Sequence, residues 1–228
     1  MTTKNKVCIE CDAILFDLDG VLIDSTECIE RHWREWADRH NIDIGFVLQN
    51  AHGVRTIETM KQVAPHLDLE KEAQAFTDNE IEDTEGVEAI QGSREIIQNL
   101  PNNQWAIETS GSYEQAKASM RSANLPFPIH LVTADDVRNG KPSPEPYLTG
   151  AKKFGLTPGQ CVVVEDSPIG VQSGKAAGMK VIGVLSTHNK TTLLEAGADF
   201  IISDLENIQI TSNRNNQHLT ILLFQPDD

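Results

Sequence analysis

Four short runs of the chain each lead into side chains able to do chemistry. Asp17 and Asp19 follow Ala13-Ile14-Leu15-Phe16, and Glu165 and Asp166 follow Cys161-Val162-Val163-Val164. Thr109 and Ser110 follow the run Gln104–Glu108. Lys141 stands in a Gly140-Lys141-Pro142 turn after Ile129–Thr133. Carboxylates gathered at one place repel, so such a cluster must hold protons or a cation. Ligands that are all oxygen suit a hard cation, and Mg2+ typically takes one or two carboxylates plus waters and substrate oxygens. Thr109 and Ser110 sit where a strand turns into a helix, so hydroxyls and unpaired backbone N–H groups can hold an anion. A lysine in a turn is ordinarily solvated; its place after a core strand singles Lys141 out. Asp24 has the plainer reading of a helix cap.

These groups meet only if the intervening elements bring them together. Continuous apolar runs bounded by polar residues suggest strands buried on both faces. Helical patterns lie between them, at Ser93–Leu100, Tyr113–Asn124, Pro144–Phe154 and Ile169–Ala177. Gly155 and Gly178 stand where helices end. Further strands are expected at Lys180–Val184 and Asp199–Ile202. This alternation predicts an α/β fold with a doubly wound parallel sheet. Ligands of such sheets bind beyond the carboxyl ends of the strands. All the candidate groups then share one edge.

Residues 24–91 break the alternation and read as helical and charged, with an acidic run Glu80–Glu88. The first helix is expected from about Ser25, as N-cap, to Arg39, with Ile29, Trp33, Trp36 and Ala37 near helical spacing. We read 24–91 as a helical domain inserted into an α/β core of 1–23 and 92–228. Near the end, Ser212–Gln217 is polar, and Leu219–Phe224 reads as an edge strand or an ordered tail.

The net charge is −15, from 19 Lys+Arg and 34 Asp+Glu. That field repels nucleic acid, and an anionic substrate needs local help from a metal, a lysine or helix N-termini. No apolar run reaches the roughly 20 residues that span a bilayer. Four cysteines without a secretory signal point to reduced thiols and a cytoplasmic protein. Cys8 and Cys11 form a C-x-x-C spacing, but no second ligand pair supports zinc there.

Read in order, Asp17-Leu18-Asp19-Gly20-Val21-Leu22, Thr109, Lys141-Pro142-Ser143-Pro144 and Glu165-Asp166-Ser167 resemble the motifs of the haloacid-dehalogenase-like hydrolase superfamily. The resemblance covers the chain to about Ile210. It implies a phosphatase in which Asp17 is the nucleophile that forms an aspartyl-phosphate and Asp19 is the general acid and base. It implies Mg2+ as cofactor, held by Asp17, Asp166, the main-chain carbonyl of Asp19, and Glu165 directly or through water. Thr109, the Ser110 amide and Lys141 are then the phosphate-holding groups. The insertion resembles the family's cap, which closes over the site and reads the leaving group. His52-Gly53-Val54-Arg55-Thr56 resembles a cap loop of phosphatases of small sugar and polyol phosphates, with His52 and Arg55 as substrate contacts. The implied partner is a small phosphorylated metabolite. A mutase of the same family is a rival, but its first cap helix carries a histidine where this chain has Ile29. A haloacid dehalogenase would need no metal. A non-catalytic phospho-ligand-binding module is the rival from another class, set against a chain that keeps nucleophile and metal ligands.

Overall fold

The computed structural model describes residues 6–51, 53–212 and 218–224. The chain starts with β1 (Lys6–Cys11), β2 (Ala13–Asp17) and the short β3 (Ile23–Asp24). Four helices follow: α1 (Thr26–His40), α2 (Ile44–Ala51), α3 (Thr56–Val63) and α4 (Leu69–Glu82). The short β4 (Glu88–Ala89) returns the chain by pairing antiparallel with β3. Alternation then resumes through α5 (Ser93–Asn99), β5 (Trp105–Glu108), α6 (Tyr113–Ser122), β6 (His130–Val132) and α7 (Glu145–Phe154). It continues through β7 (Cys161–Glu165), α8 (Pro168–Ala176), β8 (Lys180–Val184), α9 (Lys190–Glu195) and β9 (Phe200–Ile202). Two last strands are β10 (Ile208–Ser212) and β11 (Leu219–Phe224).

The main sheet has six parallel strands in the order β6-β5-β2-β7-β8-β9. Every residue of β2 is buried, because side chains alternate between two covered faces. Ile14 and Phe16 pack on one face with Ile107, Val162 and Val164. Ala13 and Leu15 pack on the other with Ala106, Val163 and Tyr147. Each large apolar side chain so buried contributes about 1.5–3 kcal/mol. The pairing sets Asp17 opposite Glu108, and β7 beside β2 ends in Glu165. The doubly wound α/β sheet expected from the sequence is therefore present, and its carboxyl edge gathers the chemistry.

The helices α1 to α4 have a core of their own, built on Trp33, Trp36, Val47, Met60 and Phe76. Trp33 meets Trp36 edge to face at 5.4 Å. Asp24 accepts the Thr26 N–H at 3.1 Å, the cap its sequence context suggests. Ser25 stands at the N-cap position of α1 but makes no side-chain cap bond. Its hydroxyl is used elsewhere, as described below.

Leu219–Phe224 departs from expectation. It is the middle strand of a second, antiparallel sheet, β1-β11-β10, and not an edge strand. Leu219, Ile221 and Leu223 alternate into the core, which draws the two ends of the chain together. Cys8 and Cys11 lie on β1, and all four cysteines are free thiols. The polar segment after Ser212 lies outside the described residues. Among the described residues, no helix is long and apolar enough to cross a membrane.

Candidate active site

A buried charge cluster forms the floor of the site. The Lys141 Nζ lies 2.8 Å from the Asp17 Oδ1 and 2.6 Å from the Glu165 Oε1, and also reaches the Glu108 carbonyl at 3.4 Å. It sits 5.3 Å from the Tyr147 ring centroid. Burial alone would lower the lysine pKa, but Asp17 and Glu165 hold it above its ordinary value. Glu165 accepts further bonds from the Tyr147 hydroxyl at 2.8 Å, the N–H groups of Asp166 and Ser167, and the Ser167 hydroxyl at 3.0 Å. Two glycines leave room for this packing. A Cβ on Gly170 would overlap the Glu165 carboxyl, and a Cβ on Gly20, which has φ +78°, would overlap that of Asp166.

Asp17 and Asp166 are less well satisfied. Burial first, and the Glu165 charge second, raise Asp17 well above the usual carboxylate range despite Lys141. The same two causes push Asp166 up to about 8. Thr187 donates to the Asp166 Oδ2. Oxygens of Asp17, Glu165 and Asp166 lie within 4.8 Å of one another. Crowded carboxylates that favour protonation in isolation are a fitting site for a hard cation, which removes their repulsion. Both Glu165 oxygens already accept bonds, so Glu165 anchors Lys141 while standing in the same carboxylate group as Asp17 and Asp166.

Asp19 follows on the same turn and has other partners. The Ser25 hydroxyl donates to its Oδ1 at 2.6 Å, and Thr109 lies 3.5 Å from its Oδ2. Burial raises its pKa, opposed by those hydroxyls and by the Lys141 charge. The Thr109 Oγ1 also accepts the Gly111 N–H at 3.1 Å, which fixes the turn into α6. The Ser110 hydroxyl reaches across to the Gly53 carbonyl at 2.8 Å, tying the sheet edge to the helical unit.

A cavity of about 120 Å³ lies between sheet edge and helices, lined by Asp17, Asp19, Asp166, Thr109, Glu80 and Gln115 among others. Arg55 is not on this wall. Its guanidinium donates to the carbonyls of Val137 at 2.9 Å and Arg138 at 3.1 Å, and its chain covers Gly140. The structure thus places Arg55 as a strap onto the loop that carries Lys141, not beside Asp17. His52 lies outside the described residues. Sequence reasoning missed Ser25, Tyr147, Glu80 and Gln115 as parts of the site. Only Glu80 had a signal, as the first residue of the acidic run.

The profile of the haloacid dehalogenase-like hydrolases matches residues 14–184. Hexitol phosphatase A of Escherichia coli is 40% identical over 212 residues, covering 91% of this chain and 97% of the relative. Glycerol-1-phosphate phosphohydrolase 1 of Saccharomyces cerevisiae is 33% identical, covering 92% and 88%. A hydrolase from Pseudomonas syringae superposes with a TM-score of 0.75 at 25% identity, covering 86% of this chain and 94% of that one. The chain belongs to the haloacid dehalogenase-like hydrolase family.

Proposed function

We propose that this chain is a magnesium-dependent phosphatase of small sugar or polyol phosphates, working through a phosphoryl group carried on Asp17. The observation that carries the reading is a cavity lined by both Asp17, which Lys141 backs, and Asp19. The relatives named for hexitol and glycerol 1-phosphate substrates support the substrate class.

The chain's own groups divide the reaction between them. The Asp17 carboxylate attacks phosphorus, and Asp19 gives its proton to the departing alkoxide. Asp19 then takes a proton from the water that attacks the aspartyl-phosphate and frees Asp17. Lys141 holds the Asp17 carboxylate in line and lends its charge from behind it to the site where the phosphoryl group binds. Glu165, fixed by five donors, keeps Lys141 in place. Thr109 and the Ser110 N–H, at the turn from strand to helix, hold the remaining phosphoryl oxygens in this reading. Bound to Asp17 and Asp166, Mg2+ would neutralise phosphoryl oxygens that these carboxylates otherwise repel. Ile29 lines the cavity where a mutase of this family carries histidine, and an alkyl chain relays no proton. The free thiols fit a reducing compartment, and we assign the enzyme to the cytoplasm.

The test is phosphate release from sugar, polyol and nucleoside monophosphates with Mg2+ and with EDTA. Release that needs Mg2+ and concentrates on polyol or sugar phosphates is expected. No release by folded protein, or release indifferent to EDTA, contradicts the proposal.

A further inference from the structure

The far wall of the cavity holds a pair that the phosphoryl chemistry does not use. Glu80, near the end of α4, accepts a hydrogen bond from the side-chain amide of Gln115 on α6. Gln115 is not free to swing. Its Oε1 accepts the Ser112 N–H at 2.7 Å, and its own N–H is held by the Ser112 hydroxyl, closing the capping box of α6. The helical unit therefore supplies a carboxyl and the sheet unit a fixed amide, on a wall shared with Asp19. With phosphorus at Asp17 and the leaving oxygen at Asp19, the alcohol half of a substrate extends toward this wall.

The rest of the lining narrows the chemistry. Ile29, Trp33 and Val54 are apolar. Among the described residues lining the cavity there is no lysine or arginine. Arg55 is turned onto the carbonyls of Val137 and Arg138. A second phosphate or a carboxylate on the alcohol half would find no lysine or arginine among the described lining residues, and would lie near Asp19 and Glu80. A hydroxyl is different, because it can donate to the carboxyl and accept from the amide. Without substrate the two groups satisfy each other, so neither is left buried and unpaired.

We propose that the Glu80–Gln115 pair reads the hydroxyl groups of the leaving alcohol and selects monophosphates of uncharged polyols over substrates bearing a second anion. This specificity role rests on the phosphatase reading above. Burial first, and the Asp19 charge second, push the Glu80 carboxyl up to about 8, so near neutral pH it offers a proton as well as lone pairs.

The test uses the full chain with Mg2+ and three probes: a hexitol monophosphate, para-nitrophenyl phosphate, whose leaving group has no free hydroxyl to read, and a hexose bisphosphate. Glu80→Gln keeps the shape of the side chain. It is expected to raise KM for the hexitol monophosphate by about tenfold, with kcat changed less and para-nitrophenyl phosphate turnover retained. Glu80→Lys is expected to shift kcat/KM toward the bisphosphate. Equal effects on hexitol and aryl substrates, or no effect on either, overturn the inference alone. Wild-type protein that cleaves none of the three overturns the phosphatase reading and this role with it. Should Glu80→Gln fail to fold, the wild-type ratio decides: equal kcat/KM for hexitol monophosphate and bisphosphate overturns the role.

Discussion

On the cavity floor, Glu165 accepts five hydrogen bonds within a closed network of Lys141, Tyr147 and Ser167. Elsewhere on the cavity lining, the Asp19 side chain is held by the Ser25 hydroxyl, with Thr109 at the long distance of 3.5 Å. The floor is made of buried opposite charges that cannot separate without leaving one of them unpaired. The wall is made of hydroxyls and a carboxyl that can change partners at small cost, beside an amide held in place by its capping box. That contrast suits the two tasks. A nucleophile and its metal need one fixed geometry, whereas a proton carrier and an alcohol-binding wall must exchange partners as substrate enters and leaves.

Removing Lys141 should break the contrast most severely. Lys141→Met leaves Asp17, Glu165 and Asp166 buried without their cation. We expect activity to vanish and stability to fall by about 3–5 kcal/mol, read from urea unfolding. A variant as stable as wild type would show that Lys141 does not hold the floor together. Asp19→Asn tests the wall. We expect kcat to fall about 10²–10⁴-fold while the unfolding midpoint stays near wild type. A large loss of stability would mean that the wall is as rigid as the floor.

A smaller effect concerns Glu108, the neighbour of Asp17 in the sheet. Neither carboxyl oxygen of Glu108 has a hydrogen-bond partner, and burial raises its pKa well above the usual range. The folded state therefore holds a proton that the unfolded state releases from about pH 4.3 upward. The sign follows: this residue lowers stability as pH rises from the unfolded value toward the folded one. Glu108→Gln should match wild type near pH 4 and be more stable by about 1 kcal/mol or more near pH 8, by thermal unfolding at both pH values. A pH-independent difference would remove Glu108 as the source.

The floor was legible in the sequence because its groups follow apolar strands, and parallel sheets expose such positions along one edge. Asp17, Lys141, Glu165 and Asp166 each follow such a run. What was not legible depended on distant partners. β11 pairs with β1 across almost the whole chain, and nothing local to Leu219–Phe224 specifies that neighbour. Ser25 reads as a helix cap by type and position, yet its hydroxyl serves Asp19. Arg55 reads as a substrate contact by type, but it is turned onto two loop carbonyls. Gln115 carries no local sign of the site, because only the packing of α4 brings Glu80 against it.

The most direct test of the central claim is to quench the enzyme in acid during turnover of a phosphate-labelled polyol monophosphate with Mg2+, then map the label. The account predicts label on the peptide containing Asp17, and neither label nor phosphate release in Asp17→Asn, which stays folded. Turnover without label on that peptide, together with an Asp17→Asn variant that works near the wild-type rate, would contradict it.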